Sequence, residues 1–206
     1  MMQGNLRFTI IKVMVNGMKM SRLMQTLSDL SIRERRFLFS IDDLAMIFPE
    51  KPVTLEKSLQ RAVGSGILQR VAPGIYFNPH SRAYETRYLA EYLALALRPS
   101  DLSYLSLESM LSEYGVISQI PMRLTVMTTG ASGEYHTPWG VIEFTHTARS
   151  PAEVLERCHR SRDRPLPVAT LSAAISDLRR VGRNVNMIDW DQVKEIEDEQ
   201  SVHHAH

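Results

Sequence analysis

Thr54, Lys57, Ser58, Gln60 and Arg61 stand among Leu55, Leu59, Ala62 and Val63. The apolar four recur at helical spacing and face a core, which leaves the polar five on or near the outer face. These residue types suit a DNA major groove. Arg and Lys donate to guanine O6 and N7, Gln reads adenine, and Thr or Ser holds a phosphate at a helix N-terminus. An ordinary solvated helix carries the same composition, so the neighbouring segments must decide. Residues 67–71 and Ile75–Phe77 are β-prone runs joined by Ala72-Pro73-Gly74. They form a hairpin whose tip presents Gln69, Arg70 and an exposed turn amide, with Gly74 expected at positive φ. Such a tip meets backbone or minor groove, and Arg33, Arg35 and Arg36 add phosphate-neutralising charge.

Other constellations give weaker chemistry. Glu143 and His146 lie three apart on one strand and so face opposite sides, poor geometry for an acid/base pair. Asp101, Glu134 and His136 can be imagined around a metal, yet no HxxxH, HExxH or phosphate-binding glycine loop is present. Gly130-Ala131-Ser132-Gly133 precedes no capped helix and reads as a loop. Cys158-His159 is a thiol-imidazole neighbour pair, and neighbours in sequence rarely make nucleophile and base. No catalytic residue, metal site or cofactor is assigned. A nucleic-acid-processing enzyme with its site in residues 100–147 stays as an alternative, and a protein-binding module as another.

The elements that must position these residues follow from periodicity. A first helix runs from Ser21 through Leu23, Leu27 and Leu30, continues past the arginine cluster to Phe37 and Leu38, and bends near Ser31. Ser40 caps a second helix that stops at Pro49. Thr54 caps a third, which Gly64 and Gly66 end. Three short helices and a hairpin are the order of a winged helix-turn-helix, an order also open to a generic α+β domain. Beyond Pro79, residues 84–97, 106–114 and 171–181 read as helices. Residues 124–128 and 141–147 read as strands, with residues 129–140 as their connecting loop. The whole is an α+β protein: extension 1–19, winged helix-turn-helix 20–80, mixed helix-and-sheet C-terminal domain 81–188, and acidic tail 189–206. Tyr84, Tyr88 and Tyr92 line one helix face, for core or interdomain packing or a dimer contact.

Length and charge bound the reading. The 206 residues suit one or two domains, and 44% hydrophobic with 23% charged residues is globular composition. The net charge of +1 hides a division: residues 1–80 hold 11 basic against 6 acidic residues, and residues 81–206 hold 13 against 17. A basic first third invites a polyanion. Residues 149–183 hold 8 basic against 4 acidic residues, read as a second DNA contact, a partner for the acidic tail, or a soluble face. Cys158 is the only cysteine, so no disulfide or multi-cysteine zinc site forms within the chain, and a cytoplasmic setting is expected. The apolar stretch 8–15 is too short to span a bilayer. Met18 and Met20, just before the first helix, are alternative starts. His203, His204 and His206 read as a disordered or appended end, with adventitious metal binding as the alternative.

A family resemblance joins these segments. Leu68-Gln69-Arg70-Val71-Ala72-Pro73-Gly74-Ile75-Tyr76, Tyr104-Leu105-Ser106-Leu107-Glu108-Ser109-Met110-Leu111, Leu124-Thr125-Val126-Met127-Thr128-Thr129-Gly130, Thr137-Pro138-Trp139-Gly140, Ile142-Glu143-Phe144-Thr145-His146, and Ala169-Thr170 with Ala173, Asp177 and Leu178 occur in this order. The ordered set resembles the AbiEi antitoxins of type IV toxin-antitoxin systems over about residues 20 to 182. The resemblance implies an N-terminal winged helix that represses its own promoter at inverted repeats in double-stranded DNA. It also implies a C-terminal domain acting against a nucleotidyltransferase toxin. Pairing of two copies, as a homodimer or cooperatively on DNA, is expected because one winged helix reads few base pairs.

Overall fold

The structure, a computed structural model, describes residues 18–84 and 86–203. The stretch 8–15 and the terminal His204 and His206 lie outside the described residues. The chain is mixed α and β, with eight α-helices and two sheets among those residues. No described helix is long and apolar enough to cross a membrane.

Helix α1 (Met20–Glu34) buries Leu23 and Leu27 and ends one turn earlier than the periodicity predicts. Arg35 turns left-handed at φ 52°, and Arg36 N–H closes back on the Leu30 carbonyl at 3.2 Å. Leu38–Ser40 then forms strand β1. The expected helical continuation to Leu38 is therefore wrong, for a packing reason. An extended backbone sends neighbouring side chains to opposite faces, and Leu38 joins one core while Phe39 is fully buried in another.

Helix α2 (Ile41–Ile47) begins with a capping box in which Ser40 and Asp43 satisfy each other's backbone N–H. Helix α3 (Pro52–Gly64) starts at Pro52, with Lys51 as an N-cap that makes no side-chain bond. Proline already has the φ of a first helical residue, so Thr54 lies inside the helix rather than capping it. Strands β2 (Gln69–Ala72) and β3 (Ile75–Phe77) follow, and the sheet order is β1-β3-β2, all antiparallel. This small sheet separates two apolar cores. Phe39 and Tyr76 face a cluster with Leu23, Leu44, Leu55 and Leu59 of the three helices. Ile75 and Phe77 face the larger cluster.

That larger cluster is built on a second sheet. A short 3-10 turn, Thr86–Tyr88, leads into α4 (Leu89–Leu97), then β4 (Ser103–Leu105) and α5 (Leu107–Glu113). Strands β5 (Arg123–Thr128), β6 (Gly133–Thr137) and β7 (Gly140–His146) come next. Helix α6 (Pro151–Glu156), β8 (Cys158–His159), β9 (Val168–Ala169) and α7 (Leu171–Val181) complete the layer. The six strands lie in the order β6-β7-β5-β4-β9-β8. Residues 129–140, read as a loop, contain β6, because Tyr135 packs on Phe144 with centroids 5.8 Å apart while Glu134 and His136 point outward. The acidic tail is largely α8 (Trp190–His203), which buries Val193.

The three tyrosines share no helix face, since the helix expected from residue 84 begins only at Leu89: Tyr92 lies in α4, Tyr88 ends the 3-10 turn and Tyr84 precedes it. Phe37 holds Tyr84 and Tyr92 at 5.2 and 4.9 Å between centroids, and Trp139 lies 5.0 Å from Phe77. Tyr88 instead stacks under Arg87 and Arg164. The small sheet is thus covered on both faces.

Candidate nucleic-acid interface

Helix α3 is the best-formed candidate surface. Leu55, Ser58, Leu59 and Ala62 close one side on the core. Thr54, Lys57, Gln60 and Arg61 are exposed on the other, three and four residues apart, so they make one continuous stripe. Thr54 at the amino-terminal end is exposed. Among the described residues Lys57 has no carboxylate partner.

Ser58 departs from the expected outer face. It is fully buried, donates its hydroxyl to Glu50 Oε2 at 3.0 Å and accepts from Arg61 Nη2 at 3.0 Å. A hydroxyl on the border of the apolar stripe can enter a core once a carboxylate and a guanidinium satisfy it. Glu50 also accepts the Met18 N–H, so this residue ties α1 and α3 together. The only available signal was an acid between two prolines, flanking a helix start.

The hairpin also differs from its expected role. Gln69 pairs with Phe77 and Arg70 with Tyr76, at the end of the strands away from the turn. The tip consists of Pro73 and Gly74, and the Gly74 carbonyl accepts the Ile41 N–H at 2.8 Å. Gly74 does take φ 71°, as the turn requires. Gln69 and Arg70 are exposed on edge strand β2, preceding a bulge at Val71. The register of β3 against both cores sets this placement.

The arginine cluster splits by role. Arg33 is exposed, Arg35 donates to the Ala83 carbonyl at 3.2 Å, and Arg36 pairs with Asp43 and stacks 5.0 Å from the Phe39 ring centre. Burial raises the Asp43 carboxyl, but the bonds from Arg36 and Ser40 outweigh it and hold it below its ordinary range. The candidate residues therefore occupy four places: α3, strand β2, the hairpin turn at Gly74, and the corner between α1 and β1.

Four of the eight arginines of 149–183 are held by carboxylates. Asp177, with no exposed surface, accepts from Tyr104 at 3.0 Å, Ser106 at 2.8 Å, Arg149 at 2.6 Å and Arg157 at 3.2 Å. Arg164 pairs with Glu91 and Glu113, and Arg183 with Glu108 and Glu143. Arg179 stacks 4.8 Å from the Trp190 ring centre and Arg180 donates to the His146 carbonyl. Arg160 and Arg162 alone remain exposed and unpaired among the described arginines of 157–183. Buried carboxylates hold Arg149, Arg157, Arg164 and Arg183, and no local spacing announces that.

The remaining chemical candidates stay apart. Burial, with Asp177 adding to it, pushes the Cys158 thiol up to about 11, so it is protonated at neutral pH; on β8 its neighbour His159 points the other way. Glu143 is held by Arg123 and Arg183, whereas His146 Nδ1 meets the Gly130 carbonyl at 2.8 Å. Glu134 lies 3.0 Å from His136, but Asp101 sits against Gly130, where an added Cβ would lie 2.2 Å from its carboxylate. Among the described residues no three His, Cys, Asp or Glu are grouped to hold a metal. Neither the protein-family models nor the curated proteins with which the chain was compared match it.

Proposed function

We propose that the protein is a sequence-specific DNA-binding transcriptional repressor in which α2 and α3 form a helix-turn-helix, β2 and β3 its short wing, and residues 20–80 the DNA-binding unit. The observation that carries this reading is the α3 stripe of Thr54, Lys57, Gln60 and Arg61, exposed opposite a side closed by Leu55, Leu59 and Ala62. A helix anchored on one side and polar on the other can enter a major groove without rearranging. Lys57 and Arg61 then meet guanine edges or phosphates, Gln60 an adenine, and Thr54 a phosphate. Arg70 on the edge strand contributes backbone electrostatics, as does Arg33, and Gln69 beside it offers a neutral amide donor to a phosphate. The resemblance to AbiEi antitoxins extends the proposal to autoregulation at inverted repeats and to action against a nucleotidyltransferase toxin.

The test is operator binding. After the protected promoter sequence is mapped by footprinting, Lys57→Ala with Arg61→Ala should weaken binding, with Lys57→Ala alone leaving the melting curve in place and the Arg61 change lowering the midpoint slightly because Ser58 loses its guanidinium donor. If Arg61 reads a base, its loss costs about 1–3 kcal/mol and relaxes sequence choice. If both residues only neutralise phosphates, every sequence weakens alike and the salt slope falls by about one per contact. Unchanged affinity in the double variant removes α3 from the interface.

A further inference from the structure

Along α1, Met24, Leu27, Ser28, Ser31 and Ile32 fall three and four residues apart on one face. The chain leaving β3 runs opposite with Asn78, His80 and Arg82, and Ile67 joins them below. Together these residues line an open cleft of about 460 Å³. Small-molecule sites span roughly 300–1,000 Å³.

The cleft is polarised. Leu27 and Ile67 make a buried apolar floor, while Met24 and Ile32, 54% and 76% exposed, form an apolar lip that no described residue covers. The other lip is cationic. Arg82 is exposed and has no carboxylate partner among the described residues. Arg35 bonds the carbonyl of Ala83, the next residue, at 3.2 Å, which brings a second guanidinium to the same end. The polar wall is held in place: His80 Nε2 meets the Gly66 carbonyl at 3.0 Å, its backbone N–H donates to Asn78 Oδ1 at 3.0 Å, and Ser31 bonds Ser81 at 2.6 Å. A hydrocarbon would leave the Arg82 guanidinium facing apolar matter, and a purely polar anion would leave Met24 and Ile32 in water. An occupant that satisfies both lips has an apolar body and one negative head.

We propose that this cleft binds a small amphipathic carboxylate, its chain against Met24, Leu27, Ile32 and Ile67 and its acid group at Arg82. Decanoate, held below its micellar concentration, is the probe, with decanol as the uncharged control. Calorimetry on the full chain should show saturable one-site binding of decanoate and weaker binding of decanol. The Met24 methyl signal, assigned by its loss in Met24→Leu, should shift as decanoate is added. Arg82→Gln, at an exposed position, should weaken decanoate by about threefold or more, as a partly exposed ion pair does, and leave decanol unchanged. Ser28→Trp should fill the cleft and abolish both. Equal affinity for decanoate and decanol, a silent Met24 methyl, or an unaltered Arg82→Gln overturns the proposal. Light scattering that shows a dimer broken by Ser28→Trp, with decanoate inert, also overturns it and makes a second copy the occupant.

Discussion

The two parts of the molecule use the same residue types in opposite ways. The three-helix part is held by an apolar cluster in which Leu23, Leu44, Leu55, Leu59 and Phe39 are almost wholly buried, and it leaves Arg33, Lys57 and Arg70 facing outward. The six-stranded part buries Glu91, Glu108 and Asp177 and spends its arginines on them. Leu107, at φ 57°, is an uncommon backbone for a bulky residue. It follows Ser106, whose hydroxyl bonds Asp177 and whose carbonyl accepts from Thr125 at 2.7 Å. A run of arginines is therefore no measure of a binding surface; what matters is whether the fold supplies each one with a carboxylate.

The largest expected effect tests the polar side of this contrast. Asp177→Ala strands Arg149, Arg157, Tyr104 and Ser106 around an empty position and should cost about 3–5 kcal/mol in urea unfolding. A loss below about 1 kcal/mol would erase the distinction between the two cores. Leu59→Ala tests the apolar side: a fully buried leucine at the centre of the helical cluster should cost about 2–5 kcal/mol. It should also lower DNA affinity, because α3 loses its seat. Ser40→Ala removes one half of the α2 capping box and should cost about 1 kcal/mol, read from the same denaturation curves.

Acid should weaken the ion-paired sheet. Burial raises the Glu143 carboxyl, but bonds from Arg183 and Arg123 outweigh it and hold it below the ordinary glutamate range. A carboxyl depressed by folding contributes stability that is present above its unfolded value and disappears as pH falls through its folded value. Urea midpoints should stay level from neutral pH to about 5, then fall, and Glu143→Gln should flatten part of that fall. An identical acid slope in the variant would mean that the Glu143 pairs contribute nothing. The smallest effect belongs to α3: Lys57→Ala should change stability by no more than about 0.5 kcal/mol, since its side chain is exposed and unpaired. A larger loss would move Lys57 from the outward class to the inward one.

Much of the helical framework was legible from local pattern. Leucines three and four apart marked α1 and α3, Ser40 with Asp43 marked the start of α2, and Gly74 marked the tight turn, because each signal lies within a few residues of what it specifies. The errors fell where a distant partner won. Leu38 and Phe39 read as the end of a helix until two cores claimed their opposite faces. The Gly- and Ser-rich approach to Tyr135 masked a strand that Phe144 and Arg98 hold in place. Of the candidate site, Thr54, Lys57, Gln60 and Arg61 were visible as the complement of an apolar stripe, whereas Ser58 was lost to Glu50 and Arg61 and the hairpin tip to Ile41.

By itself, then, the sequence determined the mixed α and β class, the three short helices with their hairpin, and the outward face of α3, since periodicity and capping act over one or two turns. Tertiary structure alone decided which arginines stay free, which serine is buried, and that the small sheet lies between two cores. The arginine and small-sheet outcomes depend on carboxylates and apolar faces up to 75 residues away in the chain, such as Glu143 and Glu108 at Arg183, Glu91 at Arg164, and the sheet that receives Phe77, and the burial of Ser58 depends on the fold that lays Glu50 against α3. No local pattern encodes such a meeting, because its energy exists only once the chain has closed.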